Sequence, residues 1–119
     1  MMMMMMMMLA AAAVAAMPMT IPGPAGLIEG TFVNAGRNTP VVLIIPGSGP
    51  TDRDGNNPLG VKAAPYRLLA EALAENGVST LRADKRGLFG SKAAIANPSD
   101  VTIADYASDA HQWAAADQL

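Results

Sequence analysis

Val41–Asn57, VVLIIPGSGPTDRDGNN, constrains the fold more than any other stretch of this chain. Val41–Ile45 contains only β-branched residues and leucine. A strand with no polar residue is buried on both faces, which predicts a place in the middle of a parallel sheet. The run stops at Pro46 and gives way to a loop dense in glycine, proline, aspartate and asparagine. Open α/β sheets build their ligand sites from loops at the carboxyl ends of strands. This loop is therefore the first place to look for function.

Met1–Met19, MMMMMMMMLAAAAVAAMPM, is wholly apolar and nearly free of pattern. It reads as a signal-peptide-like leader, with small residues at Ala13–Ala16 that suit an A-x-A cleavage site. The positively charged start usual for such signals is missing, which leaves a mis-assigned start as the alternative. Its length would allow a membrane span, but Pro18 and the Gly/Pro-rich sequel argue against a stable one. The expectation is that residues 1–19 stand apart from the fold and that residues 20–119 form the domain. A genuine leader predicts a secreted or periplasmic protein; otherwise the chain is cytoplasmic.

The formal net charge is −2 and there are no cysteines. Without a basic face to neutralise phosphates, nucleic acid is not an expected partner. The missing cysteines exclude disulfides, thiolate metal sites and a cysteine nucleophile. His111 is the single histidine of the chain.

Taken in order, Ile21–Gly26 reads as a turn-rich approach and Leu27–Val33 as a strand, with Gly30 marking a bulge or bend. The short connection Asn34–Pro40 favours an antiparallel hairpin between that strand and Val41–Ile45. Pro65 opens a helix whose Tyr66, Leu69, Ala70 and Leu73 fall on one face, and Asn76-Gly77 closes it. Val78–Ala83 is a second strand, so Val41–Asp84 forms a parallel β-loop-α-β unit. Lys92–Asp100 reads as a surface connection. Thr102 and Asp105 then form a capping box, and Ile103, Tyr106, Ala107, Ala110, Trp113 and Ala114 supply the apolar stripe of a helix running to Leu119. The class is α/β, with a mostly parallel sheet that is mixed at one edge.

Several chemistries fail on the residues of the first loop. A dinucleotide fingerprint needs a third glycine where Asp52 stands, and a P-loop needs a G-K-[ST] that does not follow. A nucleophile elbow, G-x-S-x-G, needs glycine where Pro46 precedes Ser48. The run Asp52–Asn56 imitates a calcium loop, but its glycine comes early and Ala63 stands in place of the bidentate glutamate. What survives is backbone chemistry: a glycine-rich turn after a strand can present N–H groups to a developing oxyanion. Gly47 permits close approach, and the N–H of Ser48 is the candidate donor.

The motifs GSGPTDRDGN, LAEALAENGVSTLRADKRGLFGS and IADYASDAHQWAAA resemble the amino-terminal part of bacterial α/β-hydrolases, nearest to those related to serine aminopeptidases and carboxylesterases. In that group a G-S-G-P-x-D-R-D-G-N loop carries the oxyanion hole and D-x-R-G-x-G-x-S follows the next strand. Asp84, Arg86, Gly87 and Ser91 match the second motif. The resemblance spans about residues 21–119. It implies a serine hydrolase with a small-molecule carboxylic ester, less readily an amide, as substrate, and with no cofactor or metal. Gly47 and Ser48 would form the oxyanion hole, and Gly49, Asp52, Arg53, Asp54, Asp84 and Arg86 would support the loop or touch substrate. The triad is not in this chain, since no G-x-S-x-G occurs and His111 precedes the point where the Ser…Asp/Glu…His order begins. The resemblance thus implies an amino-terminal fragment, inactive alone, whose unpaired sheet edge favours self-association. The alternatives are a nucleotide- or phosphate-binding α/β domain and a non-catalytic remnant.

Overall fold

The computed structural model describes residues 16–116. Four strands, β1 (Ala16–Pro22), β2 (Leu27–Val33), β3 (Val41–Ile44) and β4 (Ser79–Ala83), form one sheet in the order β1-β2-β4-β3. Two helices, α1 (Pro65–Glu75) and α2 (Ile103–Ala114), complete the frame. β1 pairs antiparallel with β2, β2 antiparallel with β4, and β3 parallel with β4. The α/β class, the mixed sheet and the β3-α1-β4 unit all agree with the sequence reading.

β1 is a correction. It starts at Ala16, inside the stretch expected to stand apart, and it also takes up Ile21 and Pro22, which were read as turn. Met19 and Ile21 point to one face and are buried in the core, as the two-residue period of a strand demands. Among so many methionines and alanines that alternation has no polar partner to reveal it. Pro18 and Pro22 lack an N–H but sit on a strand that, among the described residues, is paired on one side only, where proline is tolerated. Residues 1–15, the rest of the proposed leader, lie outside the described residues.

The expected hairpin between β2 and β3 is a second correction, because β4 lies between them. Residues 34–40 need cover only two strand spacings, about 10 Å. Ser79, opening β4, holds this bridge: its Oγ accepts the Ala35 N–H at 2.9 Å and lies 2.6 Å from Thr39 Oγ1. β3 is accordingly not central among the described residues. It pairs with β4 alone, and Val41 and Val42 are exposed rather than buried on both faces. The strand buried throughout is β4.

α1 begins with Pro65 in its first turn and ends as expected. Gly77 takes φ +77°, and the N–H groups of Gly77 and Val78 return to the carbonyls of Ala74 and Leu73 at 3.1 and 2.9 Å, which is a Schellman closure. Its inward side is Ala70 and Ala74, packed with Val33, whereas Leu69, expected on that face, is exposed. α2 carries the reciprocal Thr102–Asp105 capping box that the sequence predicted. Its buried residues are Trp113 and Asp109; Ile103, Ala107 and Ala114 of the expected stripe face outward. Neighbouring Phe32 and Val33 serve the two separate clusters, so the helices cover opposite faces of the sheet.

Trp113 joins the larger core of Met19, Ile21, Ile28, Phe32, Leu81, Ala83 and Ala94. Its ring lies over Gly30, where an added Cβ would stand 3.1 Å from the indole and 3.0 Å from the Arg82 carbonyl oxygen. Gly30 is therefore no bulge: the β1–β2 register runs through it unbroken, and its missing side chain makes room for the ring. Trp113→Ala should cost about 3–5 kcal/mol in urea unfolding. Gly30→Ala should destabilise the wild type more than it destabilises Trp113→Ala, a non-additivity that a double-mutant cycle measures.

Candidate functional site

Because β3 and β4 are parallel, the loops that follow them, residues 45–64 and 84–102, emerge at the same end of the sheet. Asp84 joins them. Its Oδ1 accepts the Arg53 N–H at 2.7 Å, its Oδ2 accepts the Gly90 N–H at 3.0 Å, and the Arg53 guanidinium lies 3.1 Å from the same oxygen. The backbone of Asp84 is fixed as well: its N–H donates to the Glu29 carbonyl at 3.0 Å, and its carbonyl accepts the Ser91 hydroxyl at 2.8 Å. Arg53 continues to Thr31 Oγ1 at 3.2 Å and to Glu29 at 3.6 Å. Arg53 thus pairs with a carboxylate outside its own loop, Asp84 of the second motif being its principal partner.

The first loop is braced internally. Asp52 Oδ1 accepts the N–H groups of Asp54 and Asn56 at 2.8 and 3.0 Å, and Asn56 Oδ1 accepts that of Ala64 at 2.7 Å. Such bonds are the ordinary use of Asp and Asn in turns. Asp54 Oδ1 takes Nε and Nη2 of Arg82 at 3.3 and 3.2 Å. Gly55, at φ +86°, lies so close to Pro65 that a Cβ would approach its ring to 2.8 Å. The carboxylates of the calcium-like run are thus engaged by the protein itself. Among the described residues no three His, Cys, Asp or Glu side chains gather as a metal-binding group.

At the loop tip Gly47, Ser48 and Gly49 are exposed. The Gly47 N–H makes a long bond of 3.4 Å to the Tyr66 hydroxyl. Among the described residues the N–H groups of Ser48 and Gly49 have no acceptor. Lys85 Nζ donates to the carbonyl oxygens of Gly47 and Gly49 at 2.6 and 2.8 Å and stands 5.6 Å from the centre of the Tyr106 ring. Burial lowers its pKa from the ordinary lysine value, because desolvation opposes charge. An apolar cleft of about 40 Å³ opens beside this loop, with Ile45, Pro46, Lys85, Tyr106 and Trp113 among its walls.

Arg86 faces the other way. Its Nε and Nη2 donate to the two carboxylate oxygens of Asp109 at 2.9 and 2.7 Å, and Nη1 lies 3.6 Å from Asp105. The bond to Asp109 raises the Arg86 pKa. The Asp105 carboxyl is held below its ordinary value, first by the Thr102 N–H and hydroxyl and then by Arg86. Its contribution to stability is therefore present at neutral pH and lost as pH falls through that depressed value. Arg86 anchors α2 to the second loop, and the pair it makes with Asp109 forms part of the wall of the cleft.

Lys85, Arg82 and Asp109 escaped the sequence reading, as did the reach of Tyr66, read only as a helix-face residue, to the Gly47 N–H. Asp105 and Asp109 share a helix face at i,i+4, which was the one available signal for Asp109. Lys85 stands between two motif residues and carries no pattern of its own. Ser91 is buried, accepts the Glu29 N–H at 2.9 Å and donates to Asp84, so it is a brace. His111 is exposed on α2.

Comparison with solved structures gives an α/β-hydrolase from a Penicillium species, with TM-score 0.54 and 19% identity over 83% of this chain and 32% of that one. A lidless α/β serine hydrolase from Xanthomonas campestris matches with TM-score 0.53 and 19% identity over 82% of this chain and 43% of that one. The fold is that of the α/β-hydrolases. No protein-family model matches the sequence, and no match emerges among curated proteins. The chain spans 32% and 43% of the lengths of the two hydrolases it resembles. In this hydrolase-like fold the two described loops occupy the carboxyl end of the sheet, the usual place for ligand sites in open α/β proteins.

The Arg86–Asp109 pair is bidentate, with side chains only 12% and 11% exposed. Asp109→Leu strands the guanidinium and should cost about 2–4 kcal/mol, slightly below the full range for a buried pair. Arg67→Ala, which removes the exposed i,i+4 pair with Glu71, should cost under about 0.5 kcal/mol. Denaturant melts of the two variants check the contrast.

Proposed function

We propose that this chain supplies the oxyanion-stabilising loop of a serine hydrolase that acts on carboxylic esters and less readily on amides. The observation that carries the reading is the Ser48 N–H, which has no partner among the described residues and sits on an exposed glycine turn shortly after a strand. Preorganised N–H groups of this kind stabilise the charge that develops on a carbonyl oxygen as a tetrahedral intermediate forms. The loop motif favours the serine-aminopeptidase and carboxylesterase branch of the fold.

The nucleophile, acid and histidine of the proposed reaction lie outside this chain. The serine hydroxyl adds to the substrate carbonyl as histidine takes its proton, and the oxygen gains the negative charge. Ser48 N–H donates to that oxygen, together with the N–H of the residue after the nucleophile. The C–O bond of the ester then breaks, and the alcohol leaves with the proton from histidine. The acyl-enzyme is released by water in the same way. In this scheme Asp52, Arg53, Asp54 and Asp84 act on the loop and not on the substrate.

Two substitutions test the donor in the gene product that carries the triad. Ser48→Pro deletes the N–H and should lower kcat on p-nitrophenyl acetate by about 10²–10³-fold. Ser48→Ala keeps the N–H and should leave kcat within about twofold, the main-chain donor being intact. Equal loss in both would transfer the role to the hydroxyl and defeat the proposal. A fluorophosphonate should label no residue of the 119-residue chain; mass-spectrometric detection of adduct at Ser48 would contradict its assignment as a backbone donor.

A further inference from the structure

Lys85 makes two short bonds that no loop-bracing residue duplicates. Its Nζ reaches the Gly47 carbonyl at 2.6 Å and the Gly49 carbonyl at 2.8 Å. The described residues contain no cis peptide bond. In a trans peptide the C=O of one residue and the N–H of the next belong to a single plane and point in opposite directions. A cation that binds the Gly47 oxygen therefore turns the Ser48 N–H to the far side of that plane. An isolated Gly-Ser-Gly turn has a weaker preference, since Gly47, on one side of that peptide, lets its ψ turn at little steric cost.

The root of Lys85 is rigid. It follows Asp84, whose backbone and carboxylate are tied to Glu29, Arg53, Gly90 and Ser91. It precedes Arg86, locked on Asp109. On the other side of the loop, the Tyr66 hydroxyl receives the Gly47 N–H, so that donor is already engaged, while the next one has no acceptor among the described residues.

We propose that Lys85 is a positioning residue: it clamps the Gly47 and Gly49 carbonyls and thereby holds the Ser48 N–H outward, ready for an oxyanion. The inference rests on the hydrolase reading for its purpose, but its geometry can be tested without any turnover. Lys85 does not touch substrate. Its part is to remove the alternative peptide orientation, so that no reorganisation is needed when charge develops.

The test is backbone NMR of the full 119-residue chain with Lys85→Met and Lys85→Arg. In Lys85→Met the carbonyl carbons of Gly47 and Gly49 should move toward unbonded values, and the Ser48 heteronuclear NOE should fall to that of a free loop tip. Lys85→Arg should restore much of the wild-type pattern, which a merely space-filling role would not require. Lys85→Gln, too short to hold both carbonyls, gives the same comparison if Lys85→Met loses the native Trp113 indole resonance. In the ester-hydrolysing gene product, Lys85→Met should lower kcat about 10–100-fold with KM within about twofold, a smaller loss than removal of the donor itself. A Ser48 amide as ordered in Lys85→Met as in the wild type overturns the inference, as does a wild-type Ser48 amide that is already disordered. Unchanged hydrolysis in Ser48→Pro would instead overturn the hydrolase reading and leave the clamp itself standing.

Discussion

One carboxylate organises the carboxyl end of this sheet. Asp84 is buried, yet both of its oxygens are satisfied, one by the Arg53 N–H and the other by the Gly90 N–H and the Arg53 guanidinium. A buried charge is tolerable only with such company. The requirement acts in both directions, because the loops after β3 and β4 must each bring a donor to the same point. The first loop can then expose a glycine turn without collapsing, and Lys85 leaves β4 at a fixed place and angle. The arrangement at Gly47–Gly49 depends on Asp84 although Asp84 does not reach it.

Arg82 shows the cost of building a site on a buried strand. Its guanidinium is almost wholly enclosed, Nε and Nη2 meet Asp54, and Nη1 has no partner among the described residues. An unpaired buried donor is unfavourable, but the pairing with Asp54 holds the first loop against α1, where the Tyr66 N–H donates to the Asp54 carbonyl at 3.0 Å. Loop rigidity and strand burial are therefore linked through one arginine whose charge the apolar interior would otherwise exclude.

Signals confined to a few neighbouring residues were legible in the sequence. The Thr102–Asp105 capping box, Pro65 at a helix start and Asn76-Gly77 at its end are local chemistry, and all three appear as read. The β3-α1-β4 unit follows from period and length. Facts that depend on distant partners were hidden. That β4 separates β2 from β3 is decided by what fills the central position of the sheet, not by the length of residues 34–40. Asp109 lies on the inward side of α2 because Arg86 waits there, and an acidic residue gives no hint of burial by itself. β1 was masked by composition, since an apolar tract has no visible alternation. Gly47 and Ser48 could be singled out from the sequence, but the lysine bonded to the carbonyls of Gly47 and Gly49 could not, because its contact with Gly47 joins residues 38 positions apart.

The gap at Gly30 has a mechanical meaning for α2. A helix can in principle slide along a sheet in steps of one turn, about 5.4 Å. On β2 the positions two residues to either side of Gly30, on the same face, are Ile28 and Phe32, both filled and buried. Trp113 therefore has one berth on this strand, and a displaced helix would drive the indole into a side chain. Asp109, one turn back on the same helix face, is fixed by the same berth at the height of Arg86. A missing side chain in the middle of the sheet thus sets the register at which the outer helix and the loop after β4 can meet.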